Sequence, residues 1–170
     1  MKPGIFTYIL AAILLVAAFF AVSMSWNKMM SHSGTPDSVL GNSSLNAKFI
    51  DNVLCTYQSP ACHTADVLIE EGWKKDVSPS FALAFMWQSS NFGKVNCGQP
   101  SATCISLHDE SWRKTYADWY GLIDGPLYKG SGIVSVQDIV AKSGPPNHEA
   151  FAKNVVAAVK TWNEGKVALP

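Results

Sequence analysis

Seven consecutive apolar residues, Phe81-Ala82-Leu83-Ala84-Phe85-Met86-Trp87, run directly into Gln88-Ser89-Ser90-Asn91. Upstream stand Ser78 and Pro79. Serine before proline is a strong helix start: serine serves as N-cap, and proline tolerates the first helical position because its missing N–H has no partner there. A helix that is apolar on every side has no face to offer water, so it must lie at the centre of whatever forms around it. The pattern predicts a central helix ending near Asn91, with Gly93 as its C-cap. Other helices must wrap it.

The flanking sequence supplies them. Leu45, Phe49, Ile50, Val53 and Leu54 recur at three and four, one face of a helix capped by Ser44. Tyr57 to Ala61, with Pro60, reads as a loop. A second helix begins at Thr64 with Ala65, Leu68, Ile69 and Trp73 inward. Residues 94–110 read as an irregular loop or small hairpin. From Ser111 to Tyr128 the spacing is helical again, with Trp112, Tyr116, Trp119, Tyr120 and Ile123 forming a stripe and Gly125-Pro126 breaking or kinking its end. Ser135 to Lys142 is a short helix stopped by Gly144-Pro145-Pro146. Asn147 caps a last helix with Phe151, Val155, Ala158, Val159 and Trp162 inward, closed by Gly165. No segment reads clearly as a sheet. The expected fold is mainly α over residues 45–166, and 170 residues suit one domain with a real core.

Ahead of that domain, Ile5 to Met24 carries no charged residue. About twenty apolar residues at 1.5 Å each span a hydrocarbon core of roughly 30 Å, longer than a secretory h-region. Residues 1–24 are therefore read as an uncleaved signal anchor, a transmembrane helix with Lys2 on the cytoplasmic side. Ala21-Val22-Ser23 offers the alternative of a cleaved signal peptide. The start is also similar to type IV prepilins, with Gly4 ahead of an apolar helix, although Ile9 stands where pilins place Glu. Residues 25–44, rich in Ser, Gly and Asn, read as a flexible tether. The domain is then extracytoplasmic, in the periplasm or at the cell exterior.

Four cysteines fit that compartment. Cys55 and Cys62, and Cys97 and Cys104, form two C-x6-C pairs. Three connectivities are open to an even set of four; proximity favours Cys55–Cys62 and Cys97–Cys104. Zinc is the rival, but the spacing does not fit the usual short-knuckle ligand pairs. The histidines His32, His63, His108 and His148 show no H-E-x-x-H spacing, so neither a metal nor a cofactor is expected. With 13 basic and 13 acidic residues the formal charge is zero, which argues against nucleic-acid binding through phosphates.

VSPSFALAFMWQSSNFG resembles the catalytic helix of lysozyme-like glycan-cleaving domains, such as lytic transglycosylases and endo-β-N-acetylglucosaminidase-like domains. Their pattern is similar to hydrophobic-x-P-x-x-x-L-A-hydrophobic-x-x-x-E-S-x-F-G. Pro79, Leu83, Ala84, Ser89, Phe92 and Gly93 match it, with one extra residue between Ser90 and Phe92. Further on, DWYGLIDGPLYKGSGIVSVQDIVAKSGPPN resembles the family's W-Y-x-L-I…Y…G…T-V-x-D-I-I-x-x-Y-A-P-P-S-D, and a final helix ends in Trp162. The likeness covers roughly residues 63–164. It implies a lysozyme-like α-rich fold, a cleft at the end of the central helix, and peptidoglycan or another N-acetylhexosamine glycan as ligand.

Three departures bear on the chemistry. Gln88 occupies the position of the family's catalytic Glu, Ser143 replaces a Tyr, and the family's Gly-Asn step has no clear match. Glycoside cleavage needs a proton at the leaving oxygen, and a carboxyl in an apolar pocket supplies it. A carboxamide cannot, and general acid catalysis is worth about 10²–10⁴-fold. It can still donate and accept hydrogen bonds to a sugar.

Four readings follow: a silent glycan-binding domain; an active glycosidase or transglycosylase whose acid is Asp109 or Glu110; a Glu→Gln variant of an active enzyme; or a structural part of an envelope, pilus-like or virion assembly, with protein partners there. Under the first reading the glycan contacts are Trp87, Gln88, Ser89, Ser90, Asn91 and Phe92. From the aromatic stripe, which otherwise reads as core, Tyr116 or Tyr120 would reach the cleft. Without a G-x-S-x-G elbow, Ser89 and Ser90 are not nucleophiles.

Overall fold

The structure is a computed structural model that describes residues 38–41, 45–98, 101–108 and 111–169. The apolar segment Ile5–Met24, most of the tether including Ser44, and the two acids Asp109 and Glu110 lie outside these residues. In chain order the described helices are α1 (Ala47–Thr56), α2 (Ala65–Lys74), α3 (Pro79–Ser90), α4 (Trp112–Asp124), a 3-10 turn (Lys129–Ser131), α5 (Val136–Ser143) and α6 (His148–Asn163). Extended pairing among the described residues is confined to the isolated bridges Ser38–Ser135, Leu40–Val77 and Ser101–Cys104. The domain is mainly α, as the periodicity predicts.

α3 is the central helix. Every side chain from Pro79 to Met86 is buried, and so is Ser90. α6 packs along it, and α5 packs on α6. Phe85 sits 5.2 Å from Phe151 of α6 and 5.3 Å from Trp119 of α4, while Phe81 lies 5.6 Å from the same indole. The aromatic stripe of α4 is therefore core: Tyr116, Trp119 and Tyr120 are all buried. At about 25 cal/mol per Å2 of apolar surface removed from water, rings of this size dominate the stabilisation.

Helix starts follow local chemistry. Asn46 caps α1, its Oδ1 accepting from the Phe49 amide at 2.9 Å. Ser111 caps α4 through the Lys114 amide at 3.3 Å, and Ser135 caps α5 through the Asp138 amide at 3.1 Å. Ser78 stands at the N-cap of α3 but makes no capping bond with its side chain; its hydroxyl pairs with Ser80 Oγ at 2.9 Å. α4 stops at Gly125, ahead of Pro126.

Two expectations are corrected. Trp73 does not point inward; it is 60% exposed. The inward stripe of α2 continues through Gly72, where an added Cβ would lie 2.9 Å from Tyr120 Oη. A small residue is what lets α2 close on α4. Part of the segment read as a tether also packs on the domain. Val39 is fully buried, its N–H donates to Val134 O at 3.0 Å, and its carbonyl accepts from Ser78 at 2.8 Å. Residues 38–41 thus strap the start of α3 to the approach to α5. Both disulfides form as proximity favours, Cys55–Cys62 and Cys97–Cys104, and no described cysteine is free.

Candidate functional site

The polar end of α3 is built by a left-handed exit. Asn91, Phe92 and Gly93 all have positive φ, at 50°, 60° and 80°. Phe92 holds this path by burying its ring, stacked 5.1 Å from Tyr57 and tilted against Trp162 at 6.2 Å. Its carbonyl accepts from Ser59 Oγ at 2.7 Å. Ser90 ties the exit together: its hydroxyl contacts the carbonyls of Met86 and Ile105 and accepts from the Gly93 amide at 2.8 Å. Ser89 Oγ accepts from the Ile105 amide at 3.3 Å. These bonds fasten the loop that the Cys97–Cys104 disulfide closes against the helix end.

Gln88 is half-buried at this junction. Its Oε1 accepts from Asn154 Nδ2 of α6 at 3.4 Å, so among the described residues its hydrogen-bond partner is another carboxamide and not a carboxylate. Trp87 beside it is half-buried, edge-on to Trp162 at 6.3 Å. Asn91 is exposed. Trp87, Gln88, Ser89 and Asn91 therefore all keep some surface at one end of α3.

The other four predicted contact residues are sealed. Ser90 and Phe92 are buried in the exit turn, and Tyr116 and Tyr120 are buried in the core. Tyr116 Oη hydrogen-bonds Thr64 Oγ1 at 2.9 Å, and burial pushes its phenol well above the ordinary range. Burial raises the Tyr120 phenol as well. None of the four offers a face to a ligand in this conformation; Ser90 and Phe92 shape the helix end, and Tyr116 and Tyr120 fill the core. The helical spacing of the stripe carried the core reading; the step to the cleft had no spacing signal behind it.

Sequence reasoning missed Asn154 altogether, because its partnership with Gln88 joins two helices 66 positions apart. It also passed over a second convergence. Cys55, Cys62 and His63 present their ligand atoms within 4.8 Å of one another. The adjacency of Cys62 and His63 is visible in the sequence, but helical metal-motif spacing does not detect it.

Compared with protein-family models, with curated proteins and with solved structures, the chain matches none of them.

Proposed function

We propose that this chain is a glycan-binding domain of lysozyme-like descent that no longer cleaves, held outside the cytoplasm by its apolar segment Ile5–Met24 and directed at peptidoglycan or a related N-acetylhexosamine polymer. The observation that carries the reading is the Gln88–Asn154 pair at the exposed end of the central helix. An N-acetyl group offers one carbonyl acceptor and one N–H donor. Two adjoining carboxamides offer the complementary set. The half-buried Trp87 indole adds an apolar surface for a sugar ring. An uncharged recognition pair suits a neutral acetamido sugar, and a carboxamide at position 88 has no proton to give a leaving oxygen. Two disulfides support an oxidising compartment.

The test is sedimentation of the full chain in mild detergent with insoluble peptidoglycan, followed by analysis of the supernatant for released glycan fragments. The expected result is co-sedimentation without release. Binding by Gln88→Ala should fall about tenfold, the worth of a hydrogen bond of roughly 1.4 kcal/mol. Release of fragments by the unaltered chain would show that another acid, with Asp109 and Glu110 first in line, performs cleavage. Absence of binding would leave the envelope-assembly reading in its place.

A further inference from the structure

The corner between α1 and α2 holds a second arrangement with chemistry of its own. Cys55 lies in the last turn of α1, and Cys62 and His63 immediately precede α2. Cys55 and Cys62 are half-buried and His63 is exposed. The three ligand atoms lie within 4.8 Å of one another. Cys55 and His63 border a groove of ≈ 600 Å3 that Asp51, one turn before Cys55 on the same helix face, also lines.

We propose that the dithiol form of this corner is a redox-gated site for a thiolate-seeking d10 cation, Zn2+ or Cu+, with Cys55, Cys62 and His63 as ligands. Distances support it. Zinc–sulfur bonds of about 2.3 Å and zinc–nitrogen bonds of about 2.0 Å at tetrahedral angles put ligand atoms roughly 3.5–3.8 Å apart. In the oxidised chain the two sulfurs are bonded and the three atoms lie within 4.8 Å of one another, so opening the bond and a side-chain adjustment of about 1–2 Å bring them to that spacing; the Cα atoms of the two cysteines are 4.8 Å apart.

The backbone of the corner is fixed without the sulfur–sulfur bond. Ser59 N–H donates to Leu54 O at 2.8 Å, Cys62 N–H to Ser59 O at 3.1 Å and Thr64 N–H to Ala61 O at 3.1 Å. The Ala65 amide donates to Asp51 Oδ1 at 3.2 Å. Opening the disulfide therefore leaves the two thiols facing one another beside the imidazole. His63 is held there with φ at 70°, a left-handed backbone that a side chain other than glycine adopts at some cost. Among the described residues, Cys97 and Cys104 have no His, Asp or Glu converging with them in this way.

The chemistry balances with a dithiol reductant. Its first thiolate bonds to one sulfur of the pair, and the Cys55–Cys62 bond breaks with its electrons going to the other. Its second thiol then displaces the first cysteine and closes the reductant as a disulfide. The two protons of the reductant end on Cys55 and Cys62. Binding of the cation replaces them and releases both to solvent, so uptake strengthens as pH rises.

The experiment uses the full chain, reduced with a phosphine that does not compete as a thiol ligand, and titrated with Co2+ and Zn2+. The proposal expects no binding by the oxidised chain. After reduction it expects one Co2+ per chain with the visible absorption of a tetrahedral thiolate site, displaced by Zn2+. The double variant Cys97→Ser/Cys104→Ser should bind as well as the unaltered chain. His63→Asn tolerates the left-handed backbone and removes the imidazole, and it should weaken binding at least about tenfold, since even residues behind a ligand contribute 10–100-fold. If reduction alone unfolds the chain, helical circular dichroism should return on adding Zn2+. Failure of the reduced chain to bind or refold with metal would overturn the proposal, and so would unchanged binding by His63→Asn or by Cys55→Ser/Cys62→Ser.

Discussion

At Gly93 a left-handed backbone and a neighbouring ring make the same demand. Its φ is +80°, and a Cβ there would sit 2.6 Å from Cη2 of Trp112. That indole cannot easily retreat, because its Nε1 donates to Pro60 O at 3.0 Å and its ring lies 5.4 Å from Tyr116. Gly144, which ends α5, shares the left-handed geometry at +72° but has open space around the missing side chain. Gly144→Ala should therefore cost about 1 kcal/mol, from backbone strain alone. Gly93→Ala should cost about 2–4 kcal/mol, strain plus overpacking. Denaturant midpoints of the two variants check this; equal losses would mean that the Trp112 contact has no energetic weight.

At the scale of elements, α2 shows what spacing alone conveys. Ala65, Leu68 and Ile69 were legible as its inner face, but the next inner position is Gly72, and glycine carries no apolar signal. The large Trp73 drew the reading one residue too far. In the same way Ser44 competes in the sequence for the cap that Asn46 makes, since both residue types are good caps and they stand two positions apart. The body of the central helix is legible because it lacks any polar face, although its left-handed cap is Asn91 and not Gly93, and the starts of α4 and α5 are legible because a serine precedes each. The candidate site was legible only along one helix: Gln88 stands out in the sequence, while Asn154 and the burial of Tyr116 and Tyr120 depend on how helices pack.

α2 and α4 are also joined by charge. Glu70 pairs with Lys74 at 2.8 Å and with Arg113 at 2.9 Å, and Glu71, nearly buried, takes bonds from both cations. Hydrogen bonds from Lys74 and Arg113 hold the Glu70 carboxyl below the ordinary glutamate range. The folded chain thus binds fewer protons there than the unfolded chain. The stabilisation is complete above the ordinary value of about 4.3 and is lost as pH falls through the lower folded value. Melting temperature should drop with acidification across this window, and Glu70→Gln should flatten that slope. The effect is small because the pair is exposed and screened by salt. An unchanged slope in the variant would remove Glu70 from the acid response.

For the whole molecule, the described fold begins before its first helix. The strap, Ser38-Val39-Leu40-Gly41, lies inside a stretch whose Ser, Gly and Asn content reads as a tether, and its inclusion rests on a single buried side chain and backbone bonds that the composition of the whole stretch does not report. Val39→Ala should lower stability by about 2 kcal/mol, through lost burial and the cavity left behind. Val95→Ala, at a side chain 55% exposed, should stay within about 0.5 kcal/mol. Thermal unfolding of both reads the difference, and a neutral Val39→Ala would place the strap outside the cooperative unit. No helix among the described residues is long and apolar enough to cross a membrane, and the segment read as an anchor lies outside them.

The central claim is that a carboxamide pair at the end of the buried helix recognises an acetamido sugar without cleaving it. Calorimetric titration of the full chain with an N-acetylhexosamine oligosaccharide tests it most directly, with Gln88→Ala and Asn154→Ala alongside. The account predicts saturable binding with intact oligosaccharide recovered afterwards, and about tenfold weaker binding in each variant. Equal binding by all three chains, or shortened oligosaccharide after incubation with the unaltered chain, would contradict it.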